Sequence, residues 1–263
     1  MSTEQTSFYS GSYYMDEANQ KLDQEMQTMD SLPNAFAQIL YMMFEIMPTM
    51  EQATEGKMEY QDYLMDEMAN VEVPALDNIK NVYNDSQFNP NESLSDVQGA
   101  IESANAILYD LYVNPNLSGD TELQSNVLAS FNSLFTGDTY TKENFTVTIN
   151  GASQTIEVPQ FGTSEADGTD QVQQVLNYWS GYDAGTGEVS PGDSEYEEYM
   201  QGEQQWGNDL NSLSTDFTDF SSTAQSLFGF YKGEDKQWLA IWDDMLKDIS
   251  KGEQQAINNL TPN

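Results

Sequence analysis

Residues 199–245 read YMQGEQQWGNDLNSLSTDFTDFSSTAQSLFGFYKGEDKQWLAIWDDM. Within them Tyr199, Glu203, Trp206, Leu210, Leu213, Phe217, Phe220, Ala224, Leu227 and Tyr231 alternate in steps of four and three. The register continues through Glu234, Trp238, Ile241 and Met245. Heptads sustained this long predict one amphipathic helix with a coiled-coil-like seam. Unbroken, it would extend about 70 Å at 1.5 Å per residue. The candidate interaction seam is Trp206, Leu210, Leu213, Phe217, Phe220, Leu227, Tyr231, Trp238, Ile241 and Met245. Its aromatic side chains are bulky for a two-stranded zipper, so the helix is expected to pack on the chain's own helices, the 15–29 segment among them. Gly233 is a candidate break or kink. Beyond Leu227 the apolar surface widens, with Phe228, Phe230, Leu239, Trp242, Leu246 and Ile249 off the seam. That end is either deeply buried or a surface for another chain.

Working outward, Met15, Ala18, Leu22, Met26 and Met29 recur at helical spacing. Residues 35–50, AFAQILYMMFEIMPTM, are the most apolar run. They include Gln38 and Glu45 and are interrupted by Pro48. A membrane span needs about 20 apolar residues, so no transmembrane helix is expected here. The run reads as a buried helix, or as a candidate partner-binding helix through Phe36, Ile39, Leu40, Met43 and Phe44. Helix resumes to Asn70, and Pro74 ends it. Further helices are predicted over 75–83, from a capping box at Ser95 and Gln98, over 120–135 with Gly137 as a stop, and around Val172, Val175, Leu176 and Trp179.

The period changes from about 3.6 to 2 at Phe145-Thr-Val-Thr-Ile149. Asn150-Gly151 is the strongest short hairpin signal, and Ala152–Val158 returns. A two-residue turn pairs Ile149 with Ala152, Val147 with Gln154 and Phe145 with Ile156. The fold class is therefore mainly α: a helical bundle with a long C-terminal helix and one small β-hairpin, about 145–158. A mobile tail is expected over 1–13, a helical region with the inserted hairpin over 14–180, and a flexible Gly/Ser/Asp-rich linker over 181–194. The long helix, 195–250, packs back on the N-terminal helices, and 251–263 is a tail.

Composition restricts the chemistry. Forty-four acidic residues against eight lysines give a net charge of −36, with no Arg, His or Cys. Disulfides, thiol nucleophiles and zinc–thiolate sites are excluded, as are Ser-His-Asp triads and imidazole ligands. Nucleic acid would be repelled at long range. No catalytic, cofactor-binding or metal-ligating residue is singled out, and no enzyme is expected. The acidic groups at 165–170 and at Asp183, Glu188, Asp193 and Glu195 lack EF-hand spacing and read as solvated loops. The N-terminus lacks the basic stretch and apolar core of a cleaved Sec signal. Two alternatives stay open: an acidic decoy that binds a basic partner, and a hydrolase built on two carboxylates.

The segment Phe36-Ala-Gln-Ile-Leu-Tyr-Met-Met-Phe44, the polar helix from Glu51 and the seam from Tyr199 together resemble the needle-tip and EspA-like filament proteins of bacterial type III secretion systems. The resemblance is architectural. It implies a virulence-associated protein secreted without a cleaved signal, a secretion chaperone, and assembly with itself or with other apparatus proteins.

Overall fold

In the computed structural model, residues 7–8, 10–135, 140–162, 171–183, 187–188, 190 and 194–260 are described. In chain order they form β1 (Ser7–Phe8), α1 (Gly11–Asp30), α2 (Ala35–Tyr41), a π-helical segment (Met42–Ile46), α3 (Met47–Glu67) and a second π-helical segment (Met68–Glu72). There follow α4 (Val73–Ser86), α5 (Leu94–Val113), α6 (Thr121–Leu134), the hairpin β2 (Tyr140–Ile149) and β3 (Ala152–Phe161), α7 (Gln171–Ser180), β4 (Tyr182–Asp183), β5 (Gly187–Glu188) and α8 (Ser194–Leu260). The mainly helical class, with its long C-terminal helix and small antiparallel hairpin, is as the sequence predicts. Two compact units divide the chain: Met1–Phe8 with Met65–Ser222, and Tyr9–Leu64 with Thr223–Asn263. Two of the three divisions, after Leu64 and after Ser222, fall inside helices, and none falls in the Gly-rich 181–194 stretch.

The first unit is built around α5, which touches α4, α6, α7 and β3. Its Val97, Ala100, Ile101, Ala104, Ile107, Leu108 and Leu111 are all buried, the pattern of a helix surrounded on most sides. Aromatic rings fill the remaining core. Trp179 is fully buried and meets Tyr83 edge-on at 5.8 Å. Its indole N–H donates to the Leu134 carbonyl at 2.8 Å, and its own carbonyl accepts from the Tyr199 hydroxyl at 2.7 Å. Each buried polar tip of this cluster thus has a partner, as burial requires. From α8, Tyr199, Trp206, Leu210, Leu213 and Phe217 bury into the same unit.

The hairpin forms in the predicted register, Ile149 opposite Ala152, Val147 opposite Gln154 and Phe145 opposite Ile156. Asn150 (φ 49°) and Gly151 (φ 80°) both take positive φ, as a type I′ turn demands. The strands run further than expected, over 140–149 and 152–161. They dock through Asn105, whose side chain accepts from the Phe161 N–H at 2.7 Å and donates to its carbonyl at 2.8 Å. Part of the expected mobile tail also joins this sheet. Ser7–Phe8 pairs in parallel with Thr148–Ile149, and α1 already begins at Gly11.

In the second unit Met43, Ile46, Met47, Ala53 and Leu64 are buried. Gly11 sits against the Tyr60 ring, where a Cβ would lie 2.9 Å from ring carbons. The expected α1 face is altered at one position. Met26 is exposed and the adjacent Glu25 is buried instead. Glu25 accepts from the Thr49 hydroxyl at 3.1 Å and pairs with Lys21 at 3.6 Å.

Several expected breaks are absent. Gly233 lies within the continuous α8, which also runs through most of the expected 251–263 tail to Leu260. Helix passes through Pro48, and Pro74 opens α4 directly after the second π segment. Proline removes an N–H, and its ring clashes with the carbonyl four residues back. Those carbonyls, of Phe44 and Asn70, lie inside the two π segments. In each case the residue just before the proline bonds five residues back, Met47 to Met42 and Val73 to Met68. A π turn accommodates the extra residue, so both prolines are preceded by the same device. The capping box at Ser95 does not form: α5 starts at Leu94 behind Ser93. The loop expected over 84–93 begins only after Ser86. Tyr182–Asp183 pairs with Gly187–Glu188 inside the expected linker. Gly137 and the 165–170 acidic group lie outside the described residues.

Candidate functional site

The seam residues fall into two sets. Trp206, Leu210, Leu213 and Phe217 are core residues of the first unit, and Phe220 is half-buried. Farther along α8, Tyr231, Trp238 and Met245 are half-buried, while Leu227 and Ile241 are exposed. From Gln225 to Gly252 no residue is fully buried. Phe230 is 59% exposed, and Leu239 and Leu246 are also exposed. At 3.6 residues per turn, the large apolar side chains from Leu227 to Ile249 occupy about half of the helix circumference. Within the second unit α3 reaches α8 where the Lys57 ammonium stands 5.2 Å from the Tyr231 ring centre, a cation–π contact.

The apolar N-terminal helix divides similarly. Met43 is fully buried and Leu40 half-buried, while Phe36 (63%), Ile39 and Phe44 are exposed. The seven residues of α2 include none that is buried, so the buried-helix reading of this run holds only from Met43 onward. Asn34 caps α2 by accepting from the Ala37 N–H at 2.9 Å.

The charge is unevenly spread. Residues 223–263 hold six carboxylates and four of the eight lysines, a net of −2, which leaves −34 on residues 1–222. On α8, Lys247 pairs with Asp243 and Asp244, and Lys251 with Asp248. The run 31–50 holds a single charge, Glu45. The exposed apolar side chains of these two stretches therefore sit in segments of low net charge. Contiguous exposed apolar surface on a soluble protein marks an interaction site.

A second feature was not foreseen. Leu64, Met68, Glu72 and Leu76 succeed each other at intervals of four, and all are buried. A strict four-residue interval outruns the 3.6-residue turn, and the π segment takes up the difference. Glu72 thereby occupies a core position. Its carboxylate is fully buried, and neither oxygen has a hydrogen-bond partner. Oxygens of Glu67, Glu72 and Asp110 lie within 4.8 Å of one another. Asp110 is buried; its Oδ1 accepts from the Asn114 side-chain N–H at 3.2 Å, and its Oδ2 is unpartnered. Burial pushes the Glu72 pKa strongly up, and the Asp110 carboxyl, then Glu67, push it further. Two ionised carboxylates offer each other no donor; a proton on one would supply the Glu72–Asp110 hydrogen bond. The sequence signal was a Glu in phase with the apolar stripe of two helices, visible only if the stripe is carried across Pro74.

Two surface depressions on α8 each contain one carboxylate. One is lined by Gln87, Glu203 and Asn208 among others, the second by Glu234, Gln237, Trp238 and Ile241. Neither offers the carboxylate pair that a hydrolase would need. No described helix is long and apolar enough to cross a membrane. No family model, curated protein or solved structure matches this chain.

Proposed function

We propose that the protein is a non-enzymatic structural protein that self-associates through the exposed apolar side chains of residues 227–246 of α8. Assembly by helix packing is also what the likeness to type III secretion needle-tip and filament proteins implies. Secretion without a cleaved signal, a cognate chaperone and apparatus partners belong to the same proposal. The observation that carries it is the coincidence of exposed Leu227, Phe230, Leu239, Ile241 and Leu246 with a local charge of only −2.

The charge distribution favours a second copy as the occupant. A basic partner would be drawn to the −34 borne by the rest of the chain. The distal helix instead balances its lysines with its own carboxylates, so its apolar face suits a neutral, apolar surface like itself. Two copies meeting symmetrically would each bring the same patch.

Light scattering coupled to gel filtration tests this. The wild-type chain is expected to be dimeric or larger at micromolar concentration. L239D/I241D is expected to be monomeric with an unchanged far-ultraviolet circular dichroism spectrum, because both side chains are exposed. A monomeric wild type, or a double variant that assembles like wild type, overturns the proposal.

A further inference from the structure

We propose that Glu67, Glu72 and Asp110 form a binding site for a hard divalent cation, calcium in preference to magnesium. Carboxylates at a surface are solvated by water and require no cation. Here Glu72 is fully buried with both oxygens unpartnered, and Asp110 Oδ2 is buried and unpartnered beside it. An ionised carboxylate removed from water is strongly unfavourable unless something positive or hydrogen-bonding faces it. The neighbouring charges that act on Glu72 are those of Asp110 and Glu67, both negative. Among the described residues no lysine pairs with Glu72 or Asp110, the paired lysines being Lys21, Lys142, Lys247 and Lys251.

The donor set consists of oxygen alone, which suits calcium, magnesium or manganese and not zinc or copper. Coordination then favours calcium. Calcium accepts about six to eight oxygens in flexible geometry, whereas magnesium demands a near-ideal octahedron and keeps several waters, so a buried carboxylate cluster suits it less well. One oxygen from each of the three carboxylates lies within 4.8 Å of the others, close enough to share one ion. Three carboxylates can supply up to six oxygens when each is bidentate. Glu67 is half-buried, and gives the ion its route from solvent. The backbone supports the site because the π segment Met68–Glu72 turns Glu72 inward, while Asn114 holds the second Asp110 oxygen at 3.2 Å.

The experiment uses the full chain, stripped with EGTA and dialysed into about 150 mM NaCl to screen the diffuse acidic surface. Thermal unfolding is then followed against CaCl₂ and MgCl₂. Wild type is expected to gain about 5–10 °C at a hundredfold excess of calcium over its Kd, and to respond more weakly to magnesium. E72Q and D110N are expected to lose about tenfold or more in calcium affinity, because each removes a charged ligand. Without calcium, E72Q is expected to be at least as stable as wild type, since the amide supplies the missing donor. A control, E197Q/E198Q on the exposed face of α8, is expected to respond like wild type. The proposal is overturned if wild type shows no saturable response, or if E72Q responds as wild type does. Either result would leave a protonated carboxyl pair in place of the ion.

Discussion

Tyr83 carries a pH dependence whose sign can be worked out. Its hydroxyl donates to the Glu203 carbonyl at 3.1 Å, and burial, with a smaller contribution from Glu203, raises its pKa to about 12. In the unfolded chain a tyrosine titrates near 10. Below pH 10 both states hold the proton and nothing is lost. Between 10 and 12 the unfolded state ionises first, so stability falls with rising pH by about 1.4 kcal/mol per unit, about 3 kcal/mol in total. Tyr199 is shifted in the same direction, chiefly by burial. Urea titrations from pH 9 to 12 should therefore show a steep alkaline loss. Y83F should start about 1 kcal/mol less stable, for the lost hydrogen bond, and then decline less steeply. An equal slope in wild type and Y83F would exclude Tyr83 as a source.

At the level of elements, α8 is one helix with two kinds of surface. Phe217 is fully buried and Leu239 is exposed although both lie on the same uninterrupted helix. F217A is expected to destabilise the first unit by about 3–5 kcal/mol, as loss of a buried phenylalanine does. L239A should stay within about 0.5 kcal/mol in the monomer while weakening association. Denaturant unfolding at a concentration below the association threshold separates the two effects; a large loss from L239A there would mean the face is already covered by the chain itself. The heptads of this helix were legible in sequence because Leu, Phe and Trp recur without a slip for over forty residues. The hairpin was legible because its turn residues admit positive φ and its strands keep a period of two. Neither pattern reports how much of a helix finds a partner, so the burial of the proximal seam and the exposure of the distal one could not be told apart. In sequence Pro48 reads as an interruption and Pro74 as a helix end, because proline removes an N–H and clashes with the carbonyl four residues back; the π segment upstream of each lets the helical path continue. With the stripe cut at Pro74, Glu72 lost its phase with Leu64, Met68 and Leu76, and the buried cluster with Asp110 stayed invisible.

For the molecule as a whole, charge and apolar surface oppose each other. Two copies approaching through residues 223–263 bring only −2 each at the contact, but each carries −34 elsewhere. At about 10 mM salt the Debye length is about 30 Å, so the chain's net negative charge repels across the whole approach. At physiological salt it is about 8 Å, and most of that repulsion is screened. Burial of Phe230, Leu239, Ile241 and Leu246 is insensitive to such screening. Self-association is therefore expected to strengthen between 10 and 150 mM NaCl and to level off by 500 mM, measured by sedimentation equilibrium. Capture of a basic protein would follow the opposite course, since salt weakens attraction between opposite charges. An association constant that falls as NaCl rises would rule out the apolar contact and favour the acidic surface as the binding element.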